Sequence, residues 1–199
     1  MANGVIHCGI VVLAGGQSSR LGSPKQLLAY AGSSLLRHTV NVALNADCGP
    51  VIVVTGAKSM EVKQALTGVK IQIVENPGWQ EGMASSLRAG LKAMLVAHPE
   101  IDGVIFMVCD QPYVNKSVLL CLIETQHTTG KAVTASSYQG KAGIPALFHH
   151  SFFGKLMELK GDKGARMLIS AHPHEVAMVP FEEGAIDIDT REDYEQLLN

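Results

Sequence analysis

Five short apolar runs rich in β-branched residues are spread along this chain, separated by stretches of helical periodicity. The runs cover residues 9–14, 50–56, 69–76, 103–110 and 132–137. Continuous apolar runs are typical of strands that are buried on both faces of a parallel sheet. Because strands and helices alternate, right-handed βαβ units are the natural assembly. The sequence therefore predicts an α/β fold with a mostly parallel central sheet.

The second half of the chain changes its pattern without dividing into separate units. Residues 136–149 are predicted to form two strands joined by a turn at Gly140, and residues 185–198 a strand followed by a helix. Thr190 is placed to cap that helix, with Asp193 three residues further on. A length of 199 residues suits one α/β domain. We therefore expect a single domain over residues 1–199.

A polar turn with two cations follows the first predicted strand, in the sequence VVLAGGQSSRLGSPKQL at 11–27. Gly15 and Gly16 allow the backbone to turn sharply and to approach a ligand closely. Exposed N–H groups in such a turn attract anions, and Arg20 and Lys25 add full positive charge. Ligands of open α/β sheets bind beyond the carboxyl ends of the strands, so these features favour nucleotide phosphates. The alternative is a tight βα turn with cations placed by chance.

Two well-known phosphate-binding patterns do not fit this turn. The P-loop pattern G-x-x-x-x-G-K-[ST] fails because Gly22 is followed by Ser-Pro-Lys. The dinucleotide pattern G-x-G-x-x-G fails on its spacing. The turn is therefore predicted to be a third kind of phosphate-binding loop, with its two cations following the pair of glycines.

An ordered series of motifs carries a resemblance to a known family. The series is L-A-G-G-x-S-x-R-x-G-x-x-K continuing into KQLL at 13–28, NPGWQEGMASSL at 76–87, DQP at 110–112, GIP at 143–145, GDKGAR at 161–166 and DIDTREDY at 187–194. In this order, over nearly the whole chain, the motifs resemble those of the molybdenum cofactor cytidylyltransferases and guanylyltransferases. The resemblance implies a three-layer, Rossmann-like nucleotidyltransferase fold.

The resemblance also implies which residues bind the nucleotide, with Arg20 and Lys25 as catalytic cations on its phosphates. The expected nucleotide-binding residues are Leu13, Ala14, Gly15, Gly16, Ser18, Arg20, Lys25, Gly82, Ser85 and Ser86. The last three begin a predicted helix, where unpaired N–H groups and the helix dipole favour anions or polar base edges. A capped amphipathic helix without a ligand is the alternative for this segment.

Asp110 ends the buried run at 103–110 and so faces the same edge of the sheet as the glycine turn. A carboxylate beside triphosphate oxygens needs a cation, and Mg²⁺ takes one or two carboxylates together with phosphate oxygens. The resemblance makes Asp110 a catalytic metal ligand. Asp189 is the expected second ligand, with Asp187 as its alternative. Helix capping is the competing interpretation for Asp110 and Asp189.

Later motifs are assigned to the second substrate by the resemblance. The expected acceptor-binding residues are Gln111, Gly143, Pro145, Gly161, Asp162 and Arg166. The GDKGAR motif combines two glycines with two cations, which suits an anionic group but also a solvated turn. The resemblance makes the acceptor molybdopterin or its molybdenum-loaded form. It also adds a molybdoenzyme or its chaperone as a protein partner.

Composition excludes several other classes of protein. The formal net charge is −2 and no basic stripe stands out, so nucleic acid is not an expected partner. No apolar run approaches the roughly 18 residues of a membrane-spanning helix, and the first residues resemble a strand more than a signal peptide. The four cysteines are far apart without a C-x-x-C pair, which is typical of reduced thiols. We therefore expect a cytoplasmic protein with no membrane partner.

Together these observations predict a Mg²⁺-dependent enzyme that transfers CMP from CTP to molybdopterin or molybdenum cofactor and releases pyrophosphate. GTP is the alternative donor, because Gly15 stands where the cytidylyl branch often has alanine. The cytidylyltransferase of the methylerythritol phosphate route shares Pro24-Lys25-Gln26, but the DQP and DIDT segments argue against it. A nucleotide-binding accessory protein without turnover is the remaining alternative, which the presence of both the carboxylates and the acceptor motif disfavours.

Overall fold

The computed structural model describes residues 6–16, 21 and 24–198. Within these residues the strands are β1 (Cys8–Ala14), β2 (Ala29–Tyr30), β3 (Ser33–Ser34), β4 (Val51–Thr55), β5 (Gln72–Glu75), β6 (Gly103–Val108), β7 (Val133–Tyr138), β8 (Lys141–His149) and β9 (Val176–Pro180). The α-helices are α1 (Leu35–Asn45), α2 (Ser59–Ala65), α3 (Met83–Ala97), α4 (Lys116–Thr129), α5 (Phe153–Met157), α6 (Ala165–Ala171) and α7 (Arg191–Leu197). Short 3-10 turns occupy Lys25–Leu27, Trp79–Glu81, His150–Phe152, Pro173–Glu175 and Glu182–Ala185.

Seven of the described strands form one sheet in the order β5-β4-β1-β6-β8-β7-β9. β8 runs antiparallel to both of its neighbours, whereas the other pairings within this sheet are parallel. The buried strand β1 lies between β4 and β6, so its carboxyl end is flanked by the carboxyl ends of two parallel strands. The predicted mostly parallel central sheet is therefore confirmed.

Helices cover both faces of this sheet because alternate residues of its strands point to opposite sides. In β1, Ile10 and Val12 pack into a core with α1, α2 and α4. Val11 and Leu13 pack into a second core with α3, α5 and α6. Every residue of β1 is buried, which explains its continuous apolar sequence. The result is the predicted three-layer arrangement of helices, sheet and helices.

Local predictions near the end of the chain were right for the helix and wrong for the strand before it. Thr190 and Asp193 form a reciprocal capping box at the start of α7: the Thr190 hydroxyl accepts from the Asp193 N–H at 3.2 Å, and the Asp193 carboxylate accepts from the Thr190 N–H at 2.7 Å. Residues 186–189, predicted as a strand, have no regular structure. The N–H of Ile188 donates to the Asp110 carbonyl at 2.9 Å, but no ladder of paired residues forms there.

The described helices are too short or too polar to cross a lipid bilayer. α3, at 15 residues, and α4, at 14 residues, are the longest among them.

Candidate active site

The candidate site lies where the parallel strands β1, β4 and β6 end side by side. Ala14 at the end of β1 is paired with Thr55 of β4, and Leu13 is paired with Val108 of β6. Ligands of α/β sheets bind beyond such carboxyl ends. The chain continues from β1 into Gly15 and Gly16, and soon after β6 it reaches Asp110. The fold therefore brings the glycine turn and this carboxylate to one edge, as the sequence predicts.

The glycine turn is held by Gln26, to which the sequence analysis gave no role. The Gln26 side-chain amide donates to the carbonyl oxygens of Ala14 at 3.2 Å and of Gly16 at 2.8 Å. Gln26 is buried, with 1% of its surface exposed, so these bonds are shielded from water. The short helical turn that carries Gln26 also carries Lys25. One buried amide thus fixes the turn relative to its neighbouring cation.

A cavity of about 190 Å³ opens between this turn and the start of α3. We call it the nucleoside cavity, and its lining residues are Leu13, Gly15, Gly16, Trp79, Gly82, Met83 and Ser86. Of the residues predicted to bind nucleotide, five are therefore among its lining. Ala14 and Ser85 are buried beside them without being lining residues. The predicted Ser18 and Arg20 lie outside the described residues.

Asn76 organises the serines at the start of α3. Its side-chain N–H₂ group donates to the hydroxyl oxygens of Ser85 at 2.8 Å and of Ser86 at 3.1 Å. The Ser85 hydroxyl donates in turn to the carbonyl of Gly82 at 2.8 Å. All three polar side chains are buried, so the hydrogen bonds set where each oxygen lies.

Lys25 joins the two predicted metal-binding carboxylates. Its ammonium group forms a short ion pair with Oδ2 of Asp110 and lies 3.0 Å from Oδ1 of Asp189. Burial alone would lower the pKa of Lys25, but Asp110 and then Asp189 hold that pKa above its ordinary value. Lys25 is therefore a permanent positive charge at the site. The structure places it on carboxylates, where the sequence predicted phosphate.

Asp187, the predicted alternative to Asp189, lies in the same group of charges. Its pKa is raised to about 6, first by burial and then by the negative charges of Asp110 and Asp189. Lys25 and Arg166 oppose this rise but do not cancel it. Asp187 therefore shares one electrostatic environment with Asp110, Asp189, Lys25 and Arg166.

The divalent metal implied by the resemblance fits these residues. Oδ1 of Asp110 is buried and has no hydrogen-bond partner among the residues that the structure describes, which is unusual for a carboxylate oxygen. Carboxylate oxygens are ligands that Mg²⁺ prefers. Among residues 6–16, 21 and 24–198, no group of three or more His, Cys, Asp or Glu side chains is arranged to hold a metal alone. Mg²⁺ usually takes one or two carboxylates and completes its shell with phosphate oxygens and water.

A second cavity, of about 270 Å³, adjoins the first on the side of β6 and α6. We call it the acceptor cavity, and its lining residues are Leu13, Met83, Leu87, Phe106, Val108, Asp110, Gln111, Tyr138, Ile144, Gly164, Ala165, Arg166 and Asp187. The two cavities share Leu13 and Met83. The predicted acceptor residues Gln111 and Arg166 line it. Its wall is mostly apolar, with charged groups at Asp110, Arg166 and Asp187.

The Arg166 guanidinium is positioned by Tyr138, which the sequence analysis did not single out. Nη2 of Arg166 donates to the Tyr138 hydroxyl at 2.9 Å. Gly143 lies directly beneath this pair, because a Cβ there would come within 2.7 Å of Cζ of Tyr138 and 3.1 Å of Nη2 of Arg166. Pro145, in a cis peptide bond, is not a lining residue, and its carbonyl accepts from the Ser136 hydroxyl at 2.8 Å. Gly143 is thus not a lining residue, but its lack of a side chain leaves room for the Tyr138–Arg166 pair that lines the acceptor cavity.

Two predicted acceptor residues, Gly161 and Asp162, lie instead against the start of α3. The Gly161 carbonyl accepts from the N–H of Ala84 at 3.1 Å. A Cβ on Gly82 would come within 2.6 Å of the Gly161 carbonyl oxygen and even closer to the Asp162 carboxylate. The structure therefore places both residues beside the nucleoside cavity.

The sequence did not reveal the roles of Gln26, Asn76 and Tyr138. It also did not reveal that Asp187 lines the acceptor cavity. Gln26 and Asn76 lie inside motifs that were recognised, KQLL and NPGW, and a signal was therefore present in both cases. Asn76 is also of a residue type that often bonds to nearby backbone groups, as it does here with the Gly78 N–H. Tyr138 carries no local signal, because its role depends on a contact with Arg166, 28 residues away.

Comparisons with known proteins agree with this geometry. Residues 10–176 match the family described as MobA-like NTP transferase domain. The chain is 28% identical to nicotine blue oxidoreductase of Paenarthrobacter nicotinovorans, with 94% of this chain and 95% of that protein covered. It is 26% identical to a probable molybdenum cofactor guanylyltransferase of Bacillus cereus (strain ATCC 10987 / NRS 248), with 94% and 93% covered.

A solved structure supports the same assignment. Rv0371C from Mycobacterium tuberculosis H37Rv, in a complex with manganese, is 30% identical to this chain with a TM-score of 0.81, over 96% of this chain and 98% of that one. The predicted three-layer nucleotidyltransferase fold is therefore confirmed. Because the family match spans well over half of the sequence, this chain belongs to the MobA-like NTP transferase family of nucleotidyltransferases.

Proposed function

We propose that this protein transfers a nucleoside monophosphate from CTP to molybdopterin or its molybdenum-loaded form and releases pyrophosphate. One observation carries the proposal: two cavities meet at Leu13 and Met83, and each has polar groups suited to a different substrate. A transfer between two bound molecules needs this adjacency, because holding both reactants in line removes much of the entropic barrier.

The donor is assigned to the nucleoside cavity, with its triphosphate along the glycine turn. Gly15 and Gly16 leave the backbone accessible to phosphate oxygens. Lys25 contributes a positive charge, which in this structure is paired with Asp110 and Asp189. In the proposal this ammonium group turns toward the triphosphate when nucleotide binds. Arg20 is proposed as a second cation on the phosphates.

The proposed reaction is an in-line displacement at the α-phosphorus. A phosphate oxygen of the acceptor forms a new bond to that atom, and the bond from it to the bridging oxygen of the β-phosphate breaks. The bridging oxygen leaves with pyrophosphate. An ionised phosphate needs no general base, so the protein contributes positioning and charge stabilisation.

Asp110, with Asp189 or Asp187, would hold a divalent metal ion. When bound, such an ion neutralises phosphate charge and acts as a Lewis acid on phosphate oxygens. Mg²⁺ is the proposed ion. Oδ1 of Asp110, which is unpaired within the described part of the chain, supports this role, and so does the manganese complex formed by the similar Rv0371C.

The acceptor is assigned to the second cavity, where Arg166 would bind its phosphate group. The planar guanidinium is suited to phosphate, and Tyr138 already fixes its orientation at 2.9 Å. Apolar walls at Leu87, Phe106 and Ile144 suit a flat heterocycle such as a pterin. A molybdoenzyme or its chaperone would then receive the product.

GTP is the second candidate donor, and one observation favours it. A Cβ on Gly15 would lie 3.2 Å from the Ser86 hydroxyl oxygen, so an alanine there would fill space beside the nucleoside cavity. The glycine leaves that space open to a larger base. The similar Bacillus cereus protein is named as a guanylyltransferase.

The test is a screen of the four nucleoside triphosphates with Mg²⁺ and purified molybdopterin, scored by pyrophosphate release and by the mass of the product. We expect a molybdopterin dinucleotide from CTP. If the dinucleotide formed only from GTP, the donor would be GTP instead of CTP, and the proposed class of reaction would be unchanged. Tight binding of nucleotide without any transfer would support a non-catalytic accessory protein instead.

We also propose that residues 1–199 act as one domain in the cytoplasm. The main sheet draws its strands from residues 8–180, so both halves of the described chain contribute to one structure. Its four cysteines are all free thiols, as is usual in a reducing compartment.

A further inference from the structure

The orientation of the Asn76 side chain is fixed by a backbone group. The N–H of Gly78 donates to Oδ1 of Asn76 at 3.0 Å. A backbone N–H can act only as a donor, so the atom that faces it must be the amide oxygen. The other end of the amide, which faces Ser85 and Ser86, is therefore the N–H₂ group, with two hydrogens to give.

The hydrogens of this cluster can be assigned one by one. Asn76 gives one hydrogen to each serine oxygen. Ser85 passes its own hydrogen to the Gly82 carbonyl at 2.8 Å. Ser86 has accepted from Asn76, and within the described part of the chain it bonds to no acceptor. Its hydroxyl hydrogen is therefore available, on a residue that lines the nucleoside cavity beside Gly15.

We propose that Asn76 makes the Ser86 hydroxyl a hydrogen-bond donor toward the nucleobase and that this donor selects the base. Asn76 is then a positioning residue, acting through Ser86. The inference rests on the proposed function in one respect, namely that the nucleoside cavity binds a nucleoside triphosphate. It goes beyond that function by naming the chemical property on which selection depends.

A fixed donor separates bases that differ in hydrogen-bond polarity. Cytosine has an acceptor at N3, where uracil has an N–H donor. Guanine has an acceptor at O6, where adenine has an amino donor. If the Ser86 donor faced a donor on the base, it would lose its hydrogen bond to water without gaining one to the nucleotide. Such an unpaired buried donor is costly. In the proposal Ser86 faces N3 of cytosine or O6 of guanine, and it therefore favours CTP over UTP, or GTP over ATP, whichever size of base the cavity admits.

The test is the affinity of the purified protein for CTP, UTP, GTP and ATP with Mg²⁺, measured by titration calorimetry. In Asn76→Asp the carboxylate still accepts from Gly78 but has no hydrogen for the serines. Ser86 must then donate to residue 76 and presents only a lone pair to the base. In Ser86→Ala the donor is removed without a buried charge being added, so this variant keeps the test valid if Asn76→Asp does not fold.

We expect both variants to reduce the preferred-to-rejected affinity ratio, CTP over UTP or GTP over ATP, by about tenfold. Asn115→Asp is the control for added negative charge, because Asn115 caps α4 through its oxygen and lines neither cavity. That variant should keep the wild-type ratio. If Asn76 had only a structural role, Asn76→Asp would lower the affinity for all four nucleotides by the same factor.

An unchanged ratio in both variants would overturn the inference, even if every affinity falls. Absence of nucleotide binding by the wild-type protein would overturn it together with the proposed function. Selective nucleotide binding that responds to the two variants, but without transfer to molybdopterin, would overturn the proposed reaction alone.

Discussion

At the scale of single residues, Lys25 connects the two halves of the proposed site. It lies 85 residues from Asp110 and 164 residues from Asp189 in sequence, yet its ammonium group contacts both carboxylates. Lys25 and Asp110 are both mostly buried, and their ion pair offsets part of the cost of burying each charge. Replacing Lys25 therefore removes the proposed phosphate-binding cation and also its ion pairs with Asp110 and Asp189.

Lys25→Ala should mainly weaken the use of nucleoside triphosphate. We expect KM for the nucleotide to rise by roughly 10- to 100-fold, the range of a charge-assisted hydrogen bond. Steady-state kinetics of pyrophosphate release measures it. Lys63→Ala is the matched control, because it breaks an exposed ion pair with Glu75 and should leave KM unchanged. Equal kinetics for the two variants would remove Lys25 from the nucleotide site.

Asp110→Asn should abolish metal-dependent turnover while the fold survives. The amide keeps the size of the side chain but loses the charge that holds a divalent ion, so we expect the rate to fall at least about a hundredfold. Rates are measured across a Mg²⁺ titration, and folding by thermal unfolding. Asp102→Asn is the control, because the Asp102 carboxylate accepts from the His7 N–H and is not part of the candidate site. A normal Mg²⁺-dependent rate in Asp110→Asn would refute the assignment.

The sequence predicted which residues lie near the candidate site better than it predicted their contacts. The positions of Gly15 and Asp110 follow from strand ends, because the carboxyl ends of parallel strands share an edge. The pairing of Lys25 with Asp110 depends on tertiary packing, and no local pattern encodes it. The same holds for Asp162, which packs at Gly82 because the loop before α6 folds back over α3.

At the scale of elements, α3 brings the serines to the site by packing closely on the sheet. Gly90 allows this approach, because a Cβ there would collide with Val11 and lie 2.9 Å from Cγ2 of Val54. Leu87 and Leu91 on the same face are fully buried. The distance between helix and sheet is thus set at a glycine, and the position of Ser86 follows from it.

Gly90→Ala should destabilise the protein by about 1–3 kcal/mol, because the added methyl group overpacks a filled core. Urea unfolding measures the change. Gly154→Ala in α5 meets nothing within 4 Å and should leave stability unchanged or raise it by up to ~1 kcal/mol. If Gly90→Ala matched Gly154→Ala in stability, close packing of α3 on β1 would be refuted.

Elements with strong periodicity were predicted well, and weakly patterned ones were not. The central strands and α3 have continuous or helical apolar patterns, and they were found. β9 (Val176–Pro180) was missed because its exposed edge position weakens the apolar signal. Residues 186–189 alternate as a strand should, but they have no strand to pair with, and a pattern alone cannot supply a partner.

At the scale of the whole molecule, the sheet topology places the two cavities next to each other. β1 lies between β4 and β6, so the glycine turn after β1 is near the ends of both strands, and it lines the nucleoside cavity together with the start of α3. The antiparallel pair of β7 and β8 then extends the sheet and supplies Tyr138 and Ile144 to the acceptor cavity. The two cavities are thus parts of one edge of the sheet, and the central claim is that one binds the donor and the other the acceptor.

A crystal structure with Mg²⁺ and a CTP analogue that cannot be cleaved at the α-phosphate tests this claim most directly. We predict the base beside Ser86, the triphosphate along Gly15 and Gly16 with Lys25 in contact with it, and the α-phosphorus facing the acceptor cavity. Nucleotide bound at a different surface, with both cavities empty and Lys25 still paired to Asp110 and Asp189, would contradict it.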